Sequence, residues 1–196
     1  MRNFVLAIIF LFLPACSQPG KEVTSDEKYF SLEKLVNEQV SLLSAGAYQI
    51  RKTAFLNENQ DEKILQPDSL GWFSELKLFR DADINLPSLK DVYEMVEGPG
   101  ELTSNLQEID FIPVKEIQGV QYLKVYYAEN PDDVRKIEAR ITEVNPLFRG
   151  ETILKLELQR DGDNNLVLKS YEITGGQKMI LLDSVEYKIT GQITRL

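Results

Sequence analysis

The chain contains no histidine. That absence removes imidazole acid–base chemistry, the Ser-His-Asp and Cys-His nucleophile systems and the commonest transition-metal ligand. One cysteine, Cys16, allows no intrachain disulfide and no Cys-based zinc site. No Walker loop, Gly-rich dinucleotide turn or G-x-S-x-G elbow occurs. Long apolar runs are also missing. Phe4 to Leu13 (FVLAIIFLFL) covers about 15 Å as a helix, against a hydrocarbon core of about 30 Å, so it cannot span a bilayer. Cations are scarce: 22 Lys and Arg stand against 31 Asp and Glu, a net charge of −9. Such a balance argues against nucleic acid, where Lys and Arg must displace counterions from phosphate. It equally argues against electrostatic attachment to anionic lipid, so membrane contact is expected to come from lipid on Cys16. No cofactor or metal is indicated, and the chemistry left to the chain is that of carboxylates, Lys, Tyr, Ser and Thr.

What is present begins with an address. Arg2, the apolar run and small Ala15 before Cys16 have the form of a secretory signal peptide. Leu13-Pro14-Ala15-Cys16 resembles the bacterial lipobox. The resemblance implies cleavage between Ala15 and Cys16, diacylglycerol on the Cys16 thiol and usually acylation, such as by palmitate, of the new amine. One acyl chain holds a protein only marginally, and two or more hold it firmly. The expected organisation is a signal peptide over 1–15, a lipidated Cys and polar tether over 16–25, and one globular domain over 26–196.

The remaining pattern predicts an α+β fold, with N-terminal helices packed on a C-terminal antiparallel β-meander, either a curved sheet or a partly open barrel. Leu32, Leu35, Val36, Val40 and Leu43 recur at helical spacing within Asp26 to Ala45. Thr24 and Glu27 fit a capping box, and Gly46 a left-handed stop. Strands are expected over 47–56 and 63–66. A second helix is expected over Leu70 to Arg80, capped by Asp68 or Ser69, and a third from Pro87 to about Val96. From Glu101 the texture is that of strands, over 106–112, 114–117, 120–128, 134–144, 151–160, 166–173, 177–182 and 185–193. Leu154, Leu156 and Leu158 alternate with Lys155 and Glu157, as period two requires. Gln118-Gly119, Asp161 to Asn165, Gly175-Gly176 and Asp183-Ser184 read as turns, so consecutive strands form hairpins.

Four constellations carry possible chemistry. Asp161, Asp163 and Asn165 match positions 1, 3 and 5 of a calcium loop with Glu172 at position 12, but Leu166 replaces the glycine of position 6. Asp, Gly and Asn are also hairpin-turn residues, which favours a plain turn. Asp81, Asp83 and Asn85 repeat the spacing, with Val92 in the closing position, and suit a loop that satisfies helix ends. A pair of carboxylates for glycoside hydrolysis needs only the right separation in space, and no pair stands out. Tyr122, Tyr126 and Tyr127 gather on one expected strand, where cross-strand packing is the default.

Gly71 to Pro87 (GWFSELKLFRDADINLP), Tyr171 to Leu182 (YEITGGQKMILL) and Tyr187 to Gly191 (YKITG) resemble stretches of a group of uncharacterised bacterial envelope lipoproteins. The resemblance implies export and a lipid anchor and carries no activity. The expected function is a non-enzymatic binding or assembly module with a protein partner, on the outer membrane of a Gram-negative envelope, its periplasmic or surface face left open. The alternatives are a carrier or sensor of an apolar ligand such as lipid, and a carboxylate-based hydrolase.

Overall fold

The computed structural model describes residues 27–57, 59–100, 104–179 and 183–196. The expected signal peptide, the Ala15–Cys16 cleavage site with its lipidated Cys16, the tether and Thr24 lie outside the described residues.

The first helix, α1, spans Leu32–Ala45 and is followed by the hairpin β1 (Tyr48–Leu56) and β2 (Asn59–Leu65). Two short helices come next, α2 (Ser69–Glu75) and α3 (Lys77–Asp81). A single 3-10 turn, Pro87–Leu89, leads to β3 (Tyr93–Glu97) and β4 (Gln107–Pro113). Five long strands complete the chain: β5 (Gly119–Tyr127), β6 (Val134–Val144), β7 (Phe148–Arg160), β8 (Leu166–Met179) and β9 (Val185–Arg195). All nine strands form one antiparallel sheet in the order β2-β1-β9-β8-β7-β6-β5-β4-β3. The sheet is open, with β2 and β3 at its edges. The class is therefore α+β with a sheet.

Several local expectations change. The N-terminal third is not purely helical: β1 lies between β2 and β9, so the last strand of the chain pairs with the first. Helix α1 starts at Leu32, where the Ser31 hydroxyl accepts the Lys34 N–H, so Ser31 does what Thr24 and Glu27 were expected to do. Gly46 ends the helix in extended backbone (φ −93°, ψ 166°), not in the left-handed region. The Leu70–Arg80 helix begins as expected, with Asp68 accepting the Gly71 N–H at 2.8 Å, but breaks at Leu76 into two pieces. The third helix reduces to the 3-10 turn, because Tyr93–Glu97 pairs with β4. Residues 114–117 form no strand.

Gly175-Gly176 is extended inside β8 rather than a turn. A Cβ on Gly175 would stand 2.4 Å from the Tyr187 ring, and one on Gly191 would stand 2.2 Å from the Tyr171 ring. These glycines make room for aromatic rings that cross from neighbouring strands, which a sequence scan reads as turn chemistry.

The core follows the alternation. Leu154, Leu156 and Leu158 on β7 are buried, as are Ile137 and Ala139 on β6 and Leu123 and Val125 on β5. They share one apolar cluster with Leu32, Leu35, Val36, Val40 and Leu43 of α1 and with Trp72, Leu76 and Phe79. A register shift between Glu157 and Leu158 lets Leu168 and Tyr171 of β8 both reach that cluster.

Candidate functional site

Both calcium-like loops spend their oxygens on the fold. The Asp161 Oδ1 accepts the N–H groups of Asp163 (2.9 Å) and Asn165 (2.8 Å), and its Oδ2 accepts from the Asn165 side chain. Asp163 faces Arg195 at 3.4 Å. In the other loop, Asp83 Oδ2 accepts the Glu33 N–H at 2.7 Å and the Ser31 hydroxyl at 3.0 Å, while Oδ1 accepts the Asn85 N–H. Asn85 holds Tyr29 by both its N–H and its carbonyl. Asp81 is paired with Lys77. This loop therefore caps α1 from fifty residues further along the chain. Among the described residues no group of three or more Cys, Asp or Glu is arranged to hold a metal ion.

A cluster whose charged members are absent from the sequence-derived candidates lies across β4, β5 and β6. Glu108 and Asp110 stand two apart on β4 and so point to one side, away from Phe111. The register sets Asp110 opposite Lys124 and Glu108 opposite Tyr126, and Lys124 is also opposite Glu138. Lys124 Nζ lies 2.7 Å from Glu108 Oε1 and 3.1 Å from Asp110 Oδ2. The Tyr126 hydroxyl donates to Glu108 Oε1 at 3.1 Å, and the Gly100 N–H donates to Oε2 at 3.0 Å. Tyr122 donates to Glu138 at 2.6 Å. Asp110 Oδ1 is buried without a partner.

The two carboxyls titrate apart. Burial pushes Glu108 up, but hydrogen bonds from Lys124, Asp110 and Tyr126 together with the Lys124 charge outweigh it and hold the group below the usual carboxylate range. Burial dominates at Asp110, and the neighbouring Glu108 adds to it, so this carboxyl is raised despite Lys124. Burial opposes the charge on Lys124, yet the two carboxylates leave its ammonium raised. Tyr126 is pushed up to about 12, by burial first and then by the Glu108 charge. The pair resembles an acid–base dyad in its titration, but Glu108 is 5% exposed and both its oxygens are engaged. Its chemistry as arranged is to hold the segment at Gly100 against the sheet. The E-x-D spacing in a predicted strand was the available signal. Among 31 acids it could not be singled out before the partner strand was known.

A second polar node joins helix to sheet. Lys52 of β1 reaches Glu75 of α2 at 2.8 Å, and the Tyr171 hydroxyl of β8 donates to the same carboxylate. Burial and then Glu75 raise the Tyr171 phenol strongly. Of the predicted tyrosines, Tyr126 and Tyr122 belong to the carboxylate cluster, while Tyr127 is half-buried on the opposite side of β5.

The remaining feature is apolar. At the β6–β7 turn Val144, Pro146 and Leu147 are exposed, and Leu147 is 74% accessible. Phe148 pairs with Met179 of β8, itself exposed, and Arg149 pairs with Lys178. Phe148, Met179 and both cations line a solvent-open depression of about 500 Å³. A larger depression of about 700 Å³ runs along α1 and is lined mainly by polar residues such as Glu33, Lys34 and Asn37. No described helix is long and apolar enough to cross a membrane. Comparison of the chain with protein-family models, with curated proteins and with solved structures gives no match.

Proposed function

We propose that the chain is a membrane-anchored envelope lipoprotein, cleaved between Ala15 and Cys16, held by lipid on Cys16 and working as a non-enzymatic binding or assembly module. In this proposal the protein belongs with the envelope lipoproteins that its lipobox and its Trp72 and Tyr171 stretches resemble, and it resides on the outer membrane. The helices form a layer over part of one sheet face, and the domain offers the uncovered end of the sheet to a partner.

The observation that carries the binding role is the exposed apolar end around Leu147 and Met179, set against a core filled by Trp72, Phe79 and the β7 leucines. Contiguous exposed apolar side chains mark interaction surfaces more often than chance features. A carrier would enclose its ligand among apolar walls. The depressions at α1 and at Phe148 are instead open and include charged side chains, which supports the module over the carrier. Hydrolysis is disfavoured by the full engagement of Glu108.

Anchoring is tested by Cys16→Ser. The expected outcome is loss of fatty-acid labelling and release of the domain from the membrane fraction. Unchanged labelling and fractionation would refute the anchor.

A further inference from the structure

We propose that the β6–β7 end is a lipid-docking tip, in which Leu147 and its apolar neighbours enter the interfacial region of a bilayer while Arg149 and Lys178 meet anionic headgroup phosphates. The inference deepens the binding role above by naming the surface bound.

The turn is built to hold an apolar side chain outward. Asn145 Oδ1 accepts the N–H groups of Leu147 (2.8 Å) and Phe148 (3.0 Å), and the Asn145 N–H donates to the Phe148 carbonyl at 3.0 Å. That Asx turn fixes the backbone so that Leu147 stands at the apex, 74% exposed, where packing against the protein's own core cannot account for it. Met179 and Val144 are exposed at the same end of the sheet, at 40% and 42%.

Charge selects the occupant. The chain carries −9 overall, yet the two residues that flank the tip in register, Arg149 and Lys178, are both cationic and exposed. Neither has an ion-pair partner among the described residues, whereas Arg140, further along β6, is paired with Glu151 at 2.5 Å. Glu151 and Glu186 line the depression that Arg149 and Lys178 share, and Glu143 stands opposite Gly150; Glu151 is held by Arg140, and none of the three pairs with Arg149 or Lys178. Apolar side chains at an apex with cations two residues behind suit an interface, since apolar groups seek the acyl boundary and Lys or Arg the phosphates.

The test uses the full chain with Cys16→Ser, so that a thiol introduced by Leu147→Cys is unique and takes an environment-sensitive fluorophore. The control places the label by Gly162→Cys, in the turn at the opposite end of β7. The label reports its own surroundings, so the apolar residues 4–13 cannot mimic its signal. On phosphatidylcholine vesicles containing phosphatidylglycerol, the label at 147 is expected to shift to the blue and to be quenched at least about twofold by brominated acyl chains. The label at 162 should not change. Arg149→Glu combined with Lys178→Glu should abolish most of the shift, and so should high salt. A label at 147 that stays open to aqueous iodide in the presence of vesicles would overturn the proposal while leaving the Cys16 anchor and a protein partner standing. A blue shift without vesicles that grows with protein concentration would overturn it in favour of self-association, and an equal shift on uncharged vesicles would remove the role of the two cations.

Discussion

Lys124 sits between two carboxyls whose protons respond in opposite senses. Glu108 is lowered in the folded state, so its contribution to stability is present above its ordinary value of 4.5 and is lost as pH falls through the depressed one. Asp110 is raised above its ordinary 3.8, so the fold prefers it protonated and that preference is lost as pH rises through the raised value. Neutralising each group should therefore do different things. Glu108→Gln removes the charge that faces Lys124 and turns one of the two oxygens that serve Lys124, Tyr126 and Gly100 into a donor, and is expected to cost about 1–3 kcal/mol at neutral pH, as for hydrogen bonds to a charged group. Asp110→Asn removes a charge that the site resists and should cost clearly less. Urea unfolding followed by Trp72, the only Trp and fully buried, gives both values. The account of the cluster fails if Asp110→Asn is the more damaging at neutral pH.

At the scale of elements, α1 depends on a side chain far away in sequence. Asp83 supplies acceptors to the Glu33 N–H and the Ser31 hydroxyl at the end of the helix where backbone donors lack partners. A carboxylate there also suits the positive end of the helix dipole. Asp83→Ala is expected to cost about 2 kcal/mol, the upper part of the range for a lost cap, with circular dichroism still native below the transition. A loss within about 0.5 kcal/mol, the usual size for a surface change, would show the cap to be idle. The stretch from Gly71 to Pro87 thus includes a structural lock between α1 and the loop after α3. The edge strands are managed differently: β2 is exposed throughout and carries Asp61, Glu62 and Lys63, charges that discourage edge-to-edge pairing.

For the whole molecule, the strands were the legible part. Alternating Leu154, Leu156 and Leu158 fixed the inner face of β7, and the short polar turn at Asp161 to Asn165 placed the β7–β8 hairpin, whereas Gly119 opens β5 itself and the strand expected just before it does not form. The β1–β9 pairing was not legible, because no local signal says that two strands over a hundred residues apart will meet. The Gly175-Gly176 pair was misread because a glycine that admits a ring and a glycine that makes a turn look identical in sequence. The same limit hid the Glu108–Asp110–Lys124 cluster, whose members meet only through register. The tip at Leu147 was hidden for another reason: an apolar residue beside Pro146 gives no sign of whether it is buried.

The central claim is that the sheet end around the β6–β7 turn, and not the buried carboxylate cluster, is the contact surface of the domain. Amide hydrogen exchange of the full chain, with and without membranes prepared from the envelope, tests it most directly. The account predicts added protection confined to residues 144–149 and 176–179. Added protection over residues 107–113 and 119–127, with the β6–β7 turn unchanged, would contradict it.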